Sequence, residues 1–160
     1  MANAILFDIL EAVRTDIQAL SLAGLAAANI IIHKVPSTAV AGLPAERFPC
    51  IIIAPWGREV VRAGSNVRDD ITYPVVVCIV ASEKNEIEQP QDAQRQNFEM
   101  YLKWRETIRK SFSNLRLTST LCHLITVAPL EIVDRQAWEQ KGLFASGLIL
   151  NCTQRESKGS

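Results

Sequence analysis

The sequence is short of the residues and spacings that build reactive sites. Histidine occurs twice, at His33 and His123, and each lies in a stretch that reads as a strand, where a structural role fits best. There is no P-loop, no G-x-G-x-x-G, no nucleophile elbow and no zinc-ligand spacing. The four cysteines, Cys50, Cys78, Cys122 and Cys152, are separated by 28, 44 and 30 positions, with no C-x-x-C. Each sits in an apolar run, so all four are expected to be reduced, buried and acting as small hydrophobes. Cys122 and His123 do not form a dyad, because strand neighbours face opposite sides. Asp69–Asp70 looks like a paired acid, but it opens a strand without a third ligand and reads as a solvated pair. No catalytic, cofactor-binding or metal residue is assigned, and the chain is not expected to be an enzyme.

Charge of one sign is also missing. The 17 basic and 17 acidic residues cancel. A neutral chain has no general attraction for nucleic acid or acidic membrane, and little charge to oppose self-association. No apolar run reaches the ~20 residues of a membrane span, and the N-terminus carries no basic region with a cleavage site. The expectation is a soluble protein made in a reducing cytoplasm, with no membrane partner.

What is present is pattern. At 160 residues the chain suits one domain, expected over 1–155 with a disordered polar tail at 156–160. Arg68 to Ser82, RDDITYPVVVCIVAS, is the organising stretch. Its first half alternates, and from Val75 to Val80 both faces are apolar, as in a strand covered on both sides. Ala4 to Leu20 is an amphipathic helix with Leu6, Ile9, Leu10, Val13, Ile17 and Leu20 on one stripe and Asn3 as the candidate N-cap. Burying that stripe is worth on the order of 10 kcal/mol before entropy. Gln94 to Phe112 is a second helix, with Phe98, Tyr101, Leu102, Ile108 and Phe112 on its stripe, Trp104 beside it and Asp92 as candidate N-cap.

Further strands are expected at Asn29–Val35, Cys50–Ala54, His123–Leu130 and Leu143–Thr153, with Arg58–Arg62 as a more exposed continuation. Pro36 to Pro49 is a long connection that reads either as an arm docking on a neighbour or as a loop packed on its own domain. Glu83–Asp92 and Glu131–Gly142 read as polar connections. The order α–β–β–β–α–β–β gives an α+β fold: a mostly antiparallel sheet of about five strands with two main helices packed on it.

The combination of pieces resembles the tail-terminator proteins of long-tailed bacteriophages, the neck proteins that cap the tail tube. The stretches that carry the resemblance are, in order, the N-terminal helix at Ile5–Leu20, a strand ending near Val35–Pro36, FPCIIIAP at Phe48–Pro55, DITYPVVV at Asp70–Val77, WRETIRKSF at Trp104–Phe112, VAPLEIVDRQAW at Val127–Trp138, and a final strand. The resemblance implies a homohexameric ring in the virion that caps the tube, stops its polymerisation and joins it to the head–tail connector protein. It implies the tail tube protein and the connector as partners, DNA passing through the lumen without specific binding, and no cofactor. Other readings are a different neck component, such as a head–tail connector or tail-completion protein, and a cellular adaptor module.

The family offers no binding motif to carry over. The interface candidates therefore come from this chain's own loops and second helix: Val40, Leu43, Arg47, Trp56, Arg58, Arg62, Ile87, Gln91, Arg105 and Arg109. Arg105 and Arg109 fall on or beside the apolar stripe. Either their stems snorkel along the core edge, or they pair with carboxylates across a subunit boundary. The second reading expects Arg105→Glu combined with Arg109→Glu to shift a ring toward smaller species by mass per particle. Unchanged mass would remove both from the interface.

Overall fold

The structure, a computed structural model, describes residues 4–35, 43–82, 86–113 and 122–158. Helix α1 (Ile5–Ala19) buries Ile9, Leu10, Ala12, Val13 and Ile17, the stripe that the helical period dictates. Its N-cap is Ala4, which makes no side-chain capping bond; Asn3 lies outside the described residues.

Six strands follow: β1 (Ile30–Ile32), β2 (Cys50–Pro55), β3 (Val60–Ala63), β4 (Arg68–Ser82), β5 (Leu124–Pro129) and β6 (Leu143–Ser157). They form one sheet in the order β1-β2-β4-β6-β5, with β3 on the outer end of β4. β1 and β2 are parallel, and every other pairing is antiparallel. The fold is α+β with a mostly antiparallel sheet. The strand beyond the expected five is β3, built from the stretch that read as an exposed continuation.

Period two decides which side chains meet which layer. Ile51, Ile53, Val75, Val77, Ile79, Leu148 and Leu150 share one core with α1 and with helix α2 (Gln91–Phe112). From α2 come Tyr101, Trp104, Ile108 and Phe112. Cys50, Ile52 and Val80 share a smaller cluster with Ile31, Leu43 and Phe48. Two helices thus contribute to the main core, as expected. Trp104 is central to it rather than flanking: its Nε1 donates to the Ala23 carbonyl at 2.8 Å. Phe98 departs from its stripe, standing exposed with its ring edge-on to Phe144.

Several boundaries differ from the expectation, and β1 is only Ile30–Ile32 where Asn29–Val35 was expected. Helix α2 begins at Gln91 with Pro90 as N-cap, which places Asp92 inside the first turn, where its charge suits the helix dipole. The connection 131–142 contains a third helix, α3 (Arg135–Lys141). Asp134 caps its N-terminus by accepting from the Gln136 and Ala137 amides, and Gly142 ends it in a left-handed turn at φ 62°. Of the polar tail expected at 156–160, Glu156 and Ser157 are strand, and 159–160 lie outside the described residues. β6 continues to Ser157 because β4 is equally long and pairs with it throughout. Among the described residues no helix is long and apolar enough to cross a membrane.

Gly24 shows how tightly the core is closed. Its φ is +81°, and a Cβ there would lie 2.7 Å from Met100 Sδ and 3.8 Å from Trp104. Gly24→Ala is expected to cost about 1–3 kcal/mol, from left-handed strain plus the displacement of Met100. That lowers the melting temperature by roughly 3–10 °C, measured by calorimetry. An unchanged melting temperature would show that the turn relaxes freely.

Candidate assembly interface

β4 and β6 are each fifteen residues long, about 50 Å when extended, well beyond an ordinary strand. Their shared outer end, Arg68–Thr72 against Thr153–Ser157, makes a three-stranded ribbon with β3. The ribbon is held by its own polar cross-links. Thr72 and Thr153 hydroxyls meet at 2.8 Å, Tyr73 donates its hydroxyl to Glu156 at 2.7 Å, and Asp69 pairs with Lys158 at 3.5 Å. Arg155 grips Asp70 with two bonds, of 2.9 and 3.3 Å. That guanidinium holds the Asp70 carboxyl below the usual carboxylate range. Asp69 and Asp70 are therefore two separate ion pairs and not a free acid pair.

The ribbon is sparsely covered. All four residues of β3 are exposed, and Val60, Val61 and Val67 show 47, 57 and 68% of their surface. Large apolar side chains are costly to leave in water. At the ribbon's root, Gly57 turns the chain at φ 68° and leaves the Trp56 indole exposed. Trp56 lines a hollow of about 270 Å³ with Leu6, Arg58, Glu59, Tyr73 and Pro74. On its other side it borders a larger hollow of about 790 Å³. The floor there is Val76, Cys78, Val80 and Ala145, and α3 forms a wall. No residue of α3 is buried, and Trp138 and Ile132 nearby are exposed.

The sequence-derived candidates separate into distinct groups. Trp56, Arg58 and Arg62 lie together at the ribbon and its root, all exposed. Ile87 and Gln91 are exposed at the start of α2, and Arg109 is exposed near its end. Eighteen residues of helix, about 27 Å, separate Gln91 from Arg109, so they do not make one patch. Leu43 turns inward, onto the small cluster with Phe48 and Val80. Arg47 is half-buried and donates to the Ala28 carbonyl at 2.9 Å. Both serve their own subunit, which favours the packed-loop reading of that connection. Val40 lies outside the described residues.

Arg105 is the clearest correction. It is 8% exposed and belongs to the interior of one subunit, not to a boundary between two. Its Nη1 donates to Ser146 Oγ at 2.8 Å, to the Gly147 carbonyl at 2.7 Å and, more weakly, to the Glu131 carbonyl at 3.4 Å. Its Nη2 donates to the Leu130 carbonyl at 2.7 Å. Burial pulls its pKa down from the usual arginine value. The guanidinium fork ties α2 to β6 and to the segment that leads into α3.

The described residues hold no group of His, Cys, Asp and Glu fit to bind a metal. Cys122 is buried while His123 is exposed; both lie just before β5 and His33 just after β1, so neither histidine stands within a strand as expected. Cys50, Cys122 and Cys152 are fully buried, Cys78 is half-buried, and all are free thiols. Burial pushes the Cys50 thiol up to about 11, which keeps it protonated and unreactive. Sequence reasoning placed the valine pair of β3 inside its exposed strand Arg58–Arg62 but singled out neither valine as an interface candidate. The pair's only signal is Val60–Val61 between the charged Arg58–Glu59 and Arg62, next to the Gly64–Ser65–Asn66 turn.

Comparison of the sequence with protein-family models and with curated proteins finds no match.

Arg105→Met is expected to cost about 2–4 kcal/mol, since it strands buried acceptors that cost 1–3 kcal/mol each, offset in part by removing a buried charge. Arg109→Met is expected to stay within about 0.5 kcal/mol. Urea unfolding of the two variants separates them. Equal and small losses would contradict the assignment of Arg105 to the interior.

Proposed function

We propose that this chain is a structural protein of a bacteriophage virion, a tail terminator. It closes into a homohexameric ring at the neck, caps the tail tube, stops its polymerisation and joins it to the head–tail connector. It performs no reaction. The observation that carries the reading is the uncovered ribbon, where Val60, Val61 and Val67 stand exposed on a cross-linked support beside Trp56. Exposed apolar patches mark interaction surfaces, and tryptophan is prominent among the residues that carry binding energy.

Two further features support it. A ring needs two different patches on each subunit, because its contacts are head-to-tail. Among the described residues the ribbon offers two different open strands, β3 and the outer end of β6, and the hollow between Trp56 and α3 adds a further surface. The order of elements also agrees with the stretches that carry the resemblance to tail terminators: an N-terminal helix, a central long strand, a second helix and a final strand. The number six comes from that resemblance.

Capping is a matter of unequal faces. One face of the ring matches the last ring of tube subunits, and the other face offers no template for the next. DNA slides through the lumen. Zero net charge suits that passage, since dense phosphate contacts would hold the DNA in place.

Light scattering of the protein, alone and after sedimentation with purified tail tubes, tests the reading. A particle several times 17.7 kDa, or co-sedimentation with tubes, is the expected result. A monomer that ignores tubes contradicts it. Binding to the connector and not to tubes would assign the chain to another neck component.

A further inference from the structure

Two strand edges at the outer end of the sheet are open among the described residues. The first is β3, which pairs only with β4. The Gly64 amide donates to the Arg68 carbonyl, which makes 64 and 68 a hydrogen-bonded pair. In an antiparallel ladder such pairs alternate, so Arg62 and Val60 turn their backbone groups toward β4. Val61 and Ala63 then direct their N–H and C=O outward.

The second edge is the end of β6. The Leu130 amide donates to the Gly147 carbonyl and the Asp134 amide to the Ala145 carbonyl, so odd-numbered residues of β6 face the β5 side. The Lys158 amide donates to the Val67 carbonyl, so even-numbered residues face β4. β5 reaches only as far as Thr153. Arg155 and Ser157 therefore direct their N–H and C=O away from β4, with no described strand to meet them. β3 and β6 both run antiparallel to β4, so they run parallel to each other.

We infer that β3 of one copy pairs in parallel with the outer end of β6 in the next copy, joining the ribbons into a closed β-belt. The Val61 N–H donates to the Arg155 carbonyl, and the Ser157 N–H donates to the Val61 carbonyl. The inference rests on the ring reading and names its contact. The occupant is a second copy because the two edges are different strands with one chain direction, which is what a head-to-tail contact requires. Pairing β3 with β3 across a two-fold would satisfy one edge and leave the other open. A closed ring leaves none, and closure is how β-structures remove exposed edges. Val60 and Val61 project from opposite faces of β3, and a strand on its free side shields both. Six three-stranded ribbons make about 18 strands, a size at which barrels enclose an aqueous channel.

Engineered cysteines test the contact, since the native thiols are largely buried. Arg62 and Ser157 share a sheet face and stand opposite each other in the inferred register. Arg62→Cys with Ser157→Cys is expected to give, on mild oxidation, a covalent ladder in a denaturing gel that climbs to the full ring. Either single variant gives at most a trace of dimer. The four doubles joining position 60 or 62 to 155 or 157 cover register shifts of two residues. Val61→Pro removes an outward N–H without touching the β4 ladder. It is expected to keep the melting temperature within a few degrees and to lose the ring. Rings by light scattering with no cross-link in any double, or with Val61→Pro still assembling, overturn the belt and leave the ring standing. Efficient dimers of Arg62→Cys alone assign the edge to a two-fold contact and also overturn it. Wild-type protein that stays monomeric with and without tubes overturns the belt and the ring together.

Discussion

The structure depends on one ladder. β4 and β6 pair over fifteen residues, from Arg68–Ser157 at one end to Ser82–Leu143 at the other. Its inner length carries the core. There, Val75, Val77 and Ile79 on β4 lie beside Leu150, Leu148 and Ser146 on β6, and α1 and α2 close over them. Along its outer length Ile71 still packs against that core, and Thr72–Thr153, Tyr73–Glu156 and Asp70–Arg155 hold the strands together. One pair of strands thus serves two purposes. Apolar burial anchors one end, and polar cross-links stiffen the other, so that β3 can be presented without collapsing back onto the domain.

Arg105 fixes the remaining edge of this arrangement. Three carbonyls and one hydroxyl take its donors, and these come from β6 and from the segment between β5 and α3. Gly147 lets that segment approach. A Cβ at 147 would stand 3.1 Å from Leu130 Cδ1, tighter than ordinary contact. A charged side chain in the interior is costly unless its donors are satisfied, and satisfied donors in a low dielectric bind firmly. α3 has no buried residue of its own, so its position relies on this anchor and on the caps at Asp134 and Gly142.

Much of the fold is legible in the sequence because it follows from two periods. The stripe Ile9–Val13–Ile17 dictates α1, and the run Val75–Val80 dictates a strand covered on both sides. What was not legible depends on partners far along the chain. Gln154–Ser157 reads as a polar tail, and it becomes strand only because Arg68–Ile71 offers it a ladder and Asp70 a counter-charge. α3 has its start and stop signals, Asp134 and Gly142, but no apolar stripe between them. Arg105 sits on the stripe of α2, and nothing local tells whether it turns outward to a carboxylate or inward to carbonyls 25 to 42 residues away. The exposed strand at Arg58–Arg62 was legible, Val60 and Val61 within it; its extent, Val60–Ala63, was not, because a short exposed strand has no period to mark its ends.

The same division underlies the proposal that the surface serves assembly. The titratable groups with a displaced pKa are thiols in the core or residues committed to hydrogen bonds and ion pairs within the sheet and helix α2. Among the described residues, the apolar groups left in water include those of the ribbon, Trp56 and the residues around α3, with Phe7, Ile87, Phe98 and Leu124 elsewhere on the surface. The measurement that tests this account most directly is the length of tail tubes grown from purified tube protein in the presence of this chain, read by electron microscopy. The account predicts that elongation stops soon after the chain is added, with a ring at one end of each tube. Tubes that grow at the same rate to the same lengths, with bare ends, would contradict it.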